Sequence, residues 1–247
     1  MSVKLKIDSN YPYVYETHLH TSEGSKCARS TGREMADACF EAGYTGIMVT
    51  DHFYYGNTAI DRSLSWEDWV QEYCKGYEHA KKEGDRIGLQ VFFGWESTYE
   101  GTDFLIYGLD KEWLLHHQEI RDASVPEQFE LVHRYGGIVI HAHPYREDFY
   151  IPGIKLYPDY ADAVETANAT HTSKFSTNHY NPEFDKKAVI YAKEHDFPVT
   201  AGSDVHSTTL LFGGVACREP LNSLKDYMDM VVNRGDFKLL DGSQIIE

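Results

Sequence analysis

Thirteen histidines are scattered through the sequence, and six of them, His18, His20, His52, His141, His143 and His206, stand where apolar, strand-like runs end. A neutral imidazole is a good ligand for divalent metals, and the ends of strands are where barrels keep their catalytic groups. His18 and His20 are separated by one residue, so on a strand both project to one side and can approach a single cation. Asp204 and His206 repeat that spacing and add a carboxylate. His141 and His143 repeat it again before Pro144, which cannot continue a ladder. One of this last pair is expected to bind metal and the other to be a hydrogen-bonding neighbour. Asp51 and His52 are adjacent and face opposite sides; His52 is taken as the ligand and Asp51 as the acceptor that orients a neighbouring imidazole. Glu96 follows the apolar run 91–95 and is expected to be nearly buried. A buried carboxylate is costly unless a Lys or Arg pairs with it or a cation neutralises it, and a bridging ligand between two metals is the sharper reading. His79, His116, His117, His133, His179 and His195 lie in polar helical or loop contexts expected to be exposed or second-layer.

These side chains need a scaffold that brings distant strand ends together. Apolar runs of strand length occur at 14–19, 46–50, 89–95, 104–109, 137–140, 163–167 and 197–201, with helical stretches between them, the alternation of a parallel α/β barrel. Thr31 and Glu34 form a capping-box signature, and Met35, Ala38, Cys39 and Ala42 repeat at helical spacing until Gly43. Further helices are expected from Ser65, from Ser124 to about Tyr135, over 185–195 and over 223–233. The stripe Trp69, Tyr73 and Tyr77 is expected to pack in the core. No internal repeat, linker or low-complexity segment appears, and residues 237–247 give no strong signal.

At 247 residues and 42% hydrophobic content, the chain has the usual length of one α/β barrel domain. With 23 Lys and Arg against 39 Asp and Glu, its formal charge of −16 repels a long polyanion, so nucleic acid and anionic membrane are poor expected partners. Four cysteines without CxxC spacing indicate neither a disulfide framework nor a thiolate zinc site. With no signal-like N-terminus and no apolar run of membrane-spanning length, a cytoplasmic location is expected.

Taken in order, His18, His20 and Thr21; Thr50, Asp51 and His52; Gly94 to Glu96; His143 and Pro144; and Gly202 to His206 resemble the PHP (polymerase and histidinol phosphatase) family of metal-dependent phosphoesterases over residues 13–215. The resemblance implies a distorted, TIM-like (β/α)7 barrel with two or three divalent metals at its C-terminal face, Zn, Mn or Fe. It implies a first metal on His18, His20, Glu96 and Asp204, a second on Glu96 and His143, and a third on His52 and His206. Asp103 stands where family members often have a histidine, and a carboxylate can replace it as ligand. After the first motif the pattern departs: Ser25 and Lys26 occupy the places that complete the third site in many relatives. Either Glu23 substitutes there, or Lys26 or Arg29 replaces that cation's charge and holds substrate phosphate directly.

The implied reaction is hydrolysis of a small phosphomonoester, in the histidinol phosphate, nucleotide or sugar phosphate class, by a hydroxide shared between cations about 3.5–4 Å apart. Glu96 and Asp204 would be the catalytic metal carboxylates. Lys26, Arg29 and Arg146 are candidates for the non-bridging phosphate oxygens, and His171 for the general acid. The rival readings are an amidohydrolase-type metal hydrolase, a PHP-type 3'-5' exonuclease and a catalytically silent metal-binding module. Against the amidohydrolase stand the bridging position of Glu96, with no lysine on that strand, and the additional His52 and His206. Oligomeric state is not expected to be readable from the sequence.

Overall fold

In the computed structural model, which describes residues 3–246, a nine-stranded sheet curls into a nearly closed, distorted barrel wrapped by helices. In chain order the first half comprises β1 (Lys4–Leu5), β2 (Tyr13–Leu19), α1 (Gly32–Ala42), β3 (Gly46–Val49), α2 (Trp66–Tyr73), α3 (Lys75–Ile87), β4 (Gln90–Tyr99) and β5 (Thr102–Tyr107). The second half comprises α4 (Lys111–His116), α5 (Val125–Arg134), β6 (Ile138–Ala142), β7 (Ala163–Asn168), α6 (Ala169–Thr172), α7 (Pro182–Glu194), β8 (Val199–Gly202), β9 (Gly213–Cys217), α8 (Leu224–Val232), β10 (Phe237–Asp241) and β11 (Ile245–Ile246). The sheet order is β10-β9-β2-β3-β4-β5-β6-β7-β8, and β1 pairs with β11 in a separate ribbon.

The seven apolar runs are β2 to β8, but the sheet is not uniformly parallel. β4 runs on through Glu96 to Tyr99 and turns straight into β5, which pairs antiparallel with both β4 and β6. The turn residues Glu100 and Gly101 both have positive φ, the geometry of a tight hairpin that leaves no room for a crossover helix. The tail that carried no signal forms β10 against β9 and β11 against β1, while residues 1, 2 and 247 lie outside the described part. Among the described residues no helix is long and apolar enough to cross a membrane.

The capping signals set the helices as their chemistry requires. Thr31 and Ser124 make full capping boxes with Glu34 and Glu127, and Ser65 accepts from the Asp68 N–H. The helix from Ser65 breaks at Cys74 into α2 and α3; Trp69 and Tyr73 are buried and stack at 4.7 Å. The expected helix over 185–195 begins earlier, at Pro182 behind an Asn181 cap.

Barrel closure occurs at the chemistry-bearing residues themselves. β2 has β9 beside its first half, but its end pairs with the segment after β8: His20 N–H donates to Val205 O (2.9 Å) and Val205 N–H to His18 O (3.3 Å). Beneath this joint the buried Glu16 carboxylate accepts from the N–H groups of both His18 and Ser203, at 2.9 Å each. Burial pushes the Glu16 carboxyl up to about 7 against those hydrogen bonds.

The outer helices are held close to the same rim by glycines. A Cβ on Gly32 would stand 2.0 Å from Gly76 O, and one on Gly76 would stand 2.0 Å from Thr21 Oγ1 in the loop after β2. Gly32→Val is therefore expected to lower the urea midpoint, with the unfolding free energy falling by the about 1–3 kcal/mol typical of overpacking. An unchanged midpoint would show that α1 and α3 are free to separate.

Candidate metal centre

Glu96 lies inside the barrel rim and is surrounded by imidazoles from other strands. Its Oε1 is 3.3 Å from His18 Nε2 and 3.1 Å from His143 Nε2; its Oε2 is 2.6 Å from His52 Nδ1 and 3.7 Å from His20 Nε2. Asp204 Oδ1 approaches the same imidazoles from the opposite side, 3.0 Å from His20 Nε2 and 3.5 Å from His18 Nε2. Four overlapping groups result, each with its ligand atoms within 4.8 Å of one another: His18, His20 and Glu96; His18, His143 and Asp204; Glu96, Asp103 and His143; and His20, His52 and His206. The eight residues expected as metal ligands from the sequence therefore meet at one place.

The donor atoms are close but not aligned on each other. His18 Nε2, His20 Nε2, His52 Nδ1, Glu96 Oε2 and Asp204 Oδ1 are all buried and make no hydrogen bond. Buried polar atoms are otherwise nearly always paired, so five orphans aimed at a common centre are what a cation-binding cradle presents. The residues fit divalent metals: mixed imidazole and carboxylate donors suit Zn, Mn or Fe without selecting one.

The electrostatics run in the same direction. Burial opposes the charge on Glu96, yet His52 and His18 outweigh it and hold the carboxyl well below its usual range. Burial likewise opposes the charge on His18 and His52, but Glu165, Asp204 and Glu96 around the first, and Glu96 beside the second, push both well upward. His20 goes the other way, lowered by burial and by His52 and His206. The carboxylates of the cluster thus favour positive charge among His18, His52 and His206, the balance that divalent cations would supply.

Outer partners orient these ligands. His18 Nδ1 lies 3.0 Å from Glu165 Oε1, and the other Glu165 oxygen accepts from the His143 N–H and from Asn168. His20 Nδ1 lies 3.1 Å from Ser25 Oγ, which donates to Asp51 Oδ1 at 2.7 Å, and Asp51 also accepts from the Thr21 N–H and hydroxyl. Asp51 thus stands outside the cluster and steers His20 through Ser25. Glu165 was missed in the sequence, although a carboxylate inside the buried run of β7 raises the same question of neutralisation as Glu96. Two cluster residues pay in backbone conformation: His143 has φ 26° and Asp204 φ 55°, a region that side chains rarely adopt.

Other candidates are placed elsewhere. His141 faces away from the cluster, stacked on Phe104 at 4.9 Å with Tyr191 edge-on, and burial pushes its imidazole down to about 3. Its neighbour His143 reaches the cluster because the positive φ turns the chain there. Glu23 points outward, accepting from the Gly32 N–H and pairing with His79 at 2.8 Å, so it is no substitute ligand. Lys26 is exposed and outside the cavity over the cluster; Arg29, also exposed, lies on the cavity wall. Arg146 is buried and reaches in: Nη1 donates to Asp204 Oδ2 at 2.5 Å, Nε donates to His171 Nε2 at 3.1 Å, and Nη2 has no partner. His171 sits behind Arg146 with its other nitrogen 2.5 Å from Asp185, outside the cavity lining. Both its nitrogens are engaged, which leaves it no free proton for a leaving group. Cys27, given no role from the sequence, lines the cavity beside His52 and His206.

Solved structures share this architecture. A two-domain protein from Bacteroides vulgatus containing a PHP-like metal-dependent phosphoesterase superposes with a TM-score of 0.61 and 14% identity, over 94% of this chain and 66% of that one. The chain has a PHP-type fold. A metal-dependent phosphoesterase from Bifidobacterium adolescentis matches at TM-score 0.55 and 16% identity, over 91% and 97% of the two chains. An amidohydrolase from Chromobacterium violaceum, with bound sulfate, matches at TM-score 0.52 and 14% identity, over 78% and 87%. No protein-family model and no curated protein matches the sequence.

Glu165→Gln keeps the volume but removes the charge behind His18. It is expected to weaken metal binding about 10–100-fold, as read by competition with a chromogenic chelator. Equal affinity in the variant would leave Glu165 with a structural part only.

Proposed function

We propose that this chain is a single-domain metal-dependent phosphoesterase of the PHP family that hydrolyses a small phosphomonoester. The observation that carries the proposal is a cluster of five orphaned ligand atoms, three of them on the cavity-lining residues His52, Glu96 and Asp204, beside the buried, partly unpaired Arg146 guanidinium that lines the same cavity. When bound, divalent cations polarise phosphoryl oxygens and make water nucleophilic near neutral pH. His18, His20, Glu96 and Asp204 would hold the first cation, and Glu96, Asp103 and His143 the second. Glu165 and the Ser25–Asp51 pair keep the imidazoles turned inward. Arg146, fixed by Asp204 on one side and His171 on the other, would offer its free Nη2 to a non-bridging phosphate oxygen, where preorganised charge contributes most. His171 serves that arginine as a positioning residue, and Arg29 adds a second positive charge at the mouth.

The cavity, about 770 Å³, admits a phosphate with a sizeable organic group, and Tyr55, Tyr150 and Phe175 give its upper walls aromatic faces. Arg29 and Arg146 are the only Lys or Arg side chains among the described residues that line it. That is too little positive surface for a nucleic-acid track, which disfavours the exonuclease reading. An amidohydrolase reading has a solved neighbour behind it, but a neutral amide offers the unpaired Arg146 Nη2 no anionic oxygen.

The decisive experiment is metal analysis combined with a panel of p-nitrophenyl phosphate, phosphomonoesters, a dihydroorotate-like amide and single-stranded DNA. Phosphate-ester turnover is expected, and Glu96→Ala should lose both bound metal and activity; turnover of the amide alone would overturn the proposal. Arg146→Ala should retain its metal but lose about ten- to hundredfold in kcat/KM for phosphate esters, the worth of one charge-assisted hydrogen bond. An unchanged kcat/KM would remove Arg146 from phosphate binding.

A further inference from the structure

The outermost of the four ligand groups, His20, His52 and His206, lacks an anionic member of its own. His20 and His206 stack with ring centroids 4.4 Å apart, and His20 lies 4.4 Å from His52. His20 is fully buried, and its Nε2 enters the cluster without a hydrogen-bond partner. The loop after β2 decides what else reaches this place. Ser25 turns inward to His20 and Asp51, Lys26 turns out to solvent, and Cys27 comes to the cavity wall. The loop is fixed in that path by Ser25 N–H to Thr21 O (2.9 Å), Lys26 N–H to Asn57 O (2.9 Å), Ala28 N–H to Ser25 O (3.1 Å) and Arg29 N–H to His206 O (2.7 Å). With Ser25 Oγ also accepting from the His52 N–H (3.0 Å), the loop is tied to His52 on one side of Cys27 and to His206 on the other, and all three residues line the same cavity. Cys27 is also the one exposed cysteine, since Cys39, Cys74 and Cys217 are buried.

We propose that Cys27 is a metal ligand, completing with His52 and His206 a third cation position that takes a thiophilic divalent ion such as zinc in preference to manganese. This inference rests on the metal-dependent reading above. A thiolate supplies the negative charge that Ser25 and Lys26 cannot, and soft sulfur with two imidazoles is a donor set that favours zinc over hard, oxygen-seeking ions. The thiol proton passes to solvent as sulfur takes the cation, so the step needs no oxidant or other reagent. The position opens on the cavity, which leaves coordination sites free for water or a substrate oxygen.

The test titrates the metal-free full chain with Co²⁺ and follows the near-ultraviolet thiolate-to-cobalt charge-transfer band together with metal content. The wild type should show the band, and Cys27→Ser should lose it along with one metal equivalent while keeping the equivalents that depend on Glu96. A second measurement is alkylation of Cys27 by iodoacetamide. Zn²⁺ should slow it in the wild type, and His206→Ala should remove that protection. Cobalt bound in a Glu96-dependent way, with no thiolate band and an unprotected Cys27, would overturn this inference and leave the metal-dependent reading intact. A wild type that binds no cobalt at all would overturn both.

Discussion

The Glu96 carboxylate, 1% exposed and within reach of four imidazoles, is the group on which the rest of the rim depends. A carboxylate taken out of water costs several kcal/mol unless opposite charge meets it at close range. No Lys or Arg reaches it; His18, His52 and His143 do, and each arrives on a different strand end. The charge therefore ties β2, the loop after β3, β4 and the loop after β6 to a common point. Asp204 imposes the same demand from the closing side of the barrel, and Arg146 meets it there. Closure of the sheet and neutralisation of the carboxylates are thus one event. The backbone bonds that join β2 to the segment after β8 flank His18, His20 and Asp204 directly.

Such an arrangement is not what a stable barrel would choose for itself. His143 and Asp204 hold positive φ, departures that cost on the order of 1–3 kcal/mol each, and Glu16 is buried as a clamp on two backbone N–H groups. Gly202 shows how little slack remains, since a Cβ there would stand 2.5 Å from His18 Cβ and 2.6 Å from Glu165 Oε1. The apolar layers outside the ring have to supply the stability. Trp69, Tyr73, Trp95 and Phe104 on one side, and Tyr15, Tyr107 and Tyr227 on another, are almost fully buried and far larger than the polar centre requires. The rim carries backbone strain at two of its cluster residues, and the aromatic shell packs around it.

Periodicity was a good guide to which residues end strands, and hence to the residues that cluster at the rim, because a strand's alternation places His18 and His20 on one side whatever the strand pairs with. It was a poor guide to pairing. Nothing in the apolar run of β5 says that it reverses direction; that follows from a two-residue turn at Glu100 and Gly101, a local backbone choice. β9 and β10 were illegible for a different reason: β9 is a short Gly-rich strand, and β10 alternates partly exposed residues without a clean apolar face. His141 and His143 share one strand spacing and yet part company, since the positive φ at His143 breaks the alternation that would have kept them together. The supporting carboxylate Glu165 and the thiol Cys27 carry no spacing signal at all. Their parts depend on which elements lie across from them, which only the folded chain determines.

The acidic sequence and the anionic substrate proposed above are reconciled by the local balance of charges. Around the centre stand four carboxylates, Glu96, Asp103, Asp204 and Glu165, against the Arg146 guanidinium and the protons favoured on His18 and His52. Carboxylates and positive groups there come close to balancing, which gives the centre little attraction for a phosphate dianion. Divalent cations in place of protons would shift that balance toward positive, although the chain as a whole stays strongly acidic. Field lines from a buried positive centre emerge mainly through the open cavity, so the site can draw in a small anion while the outer surface repels long polyanions. In the proposed phosphoesterase, metal loading would do more than activate water. It would switch the sign of the cavity, so that substrate selection by charge would follow from the same residues that hold the cations.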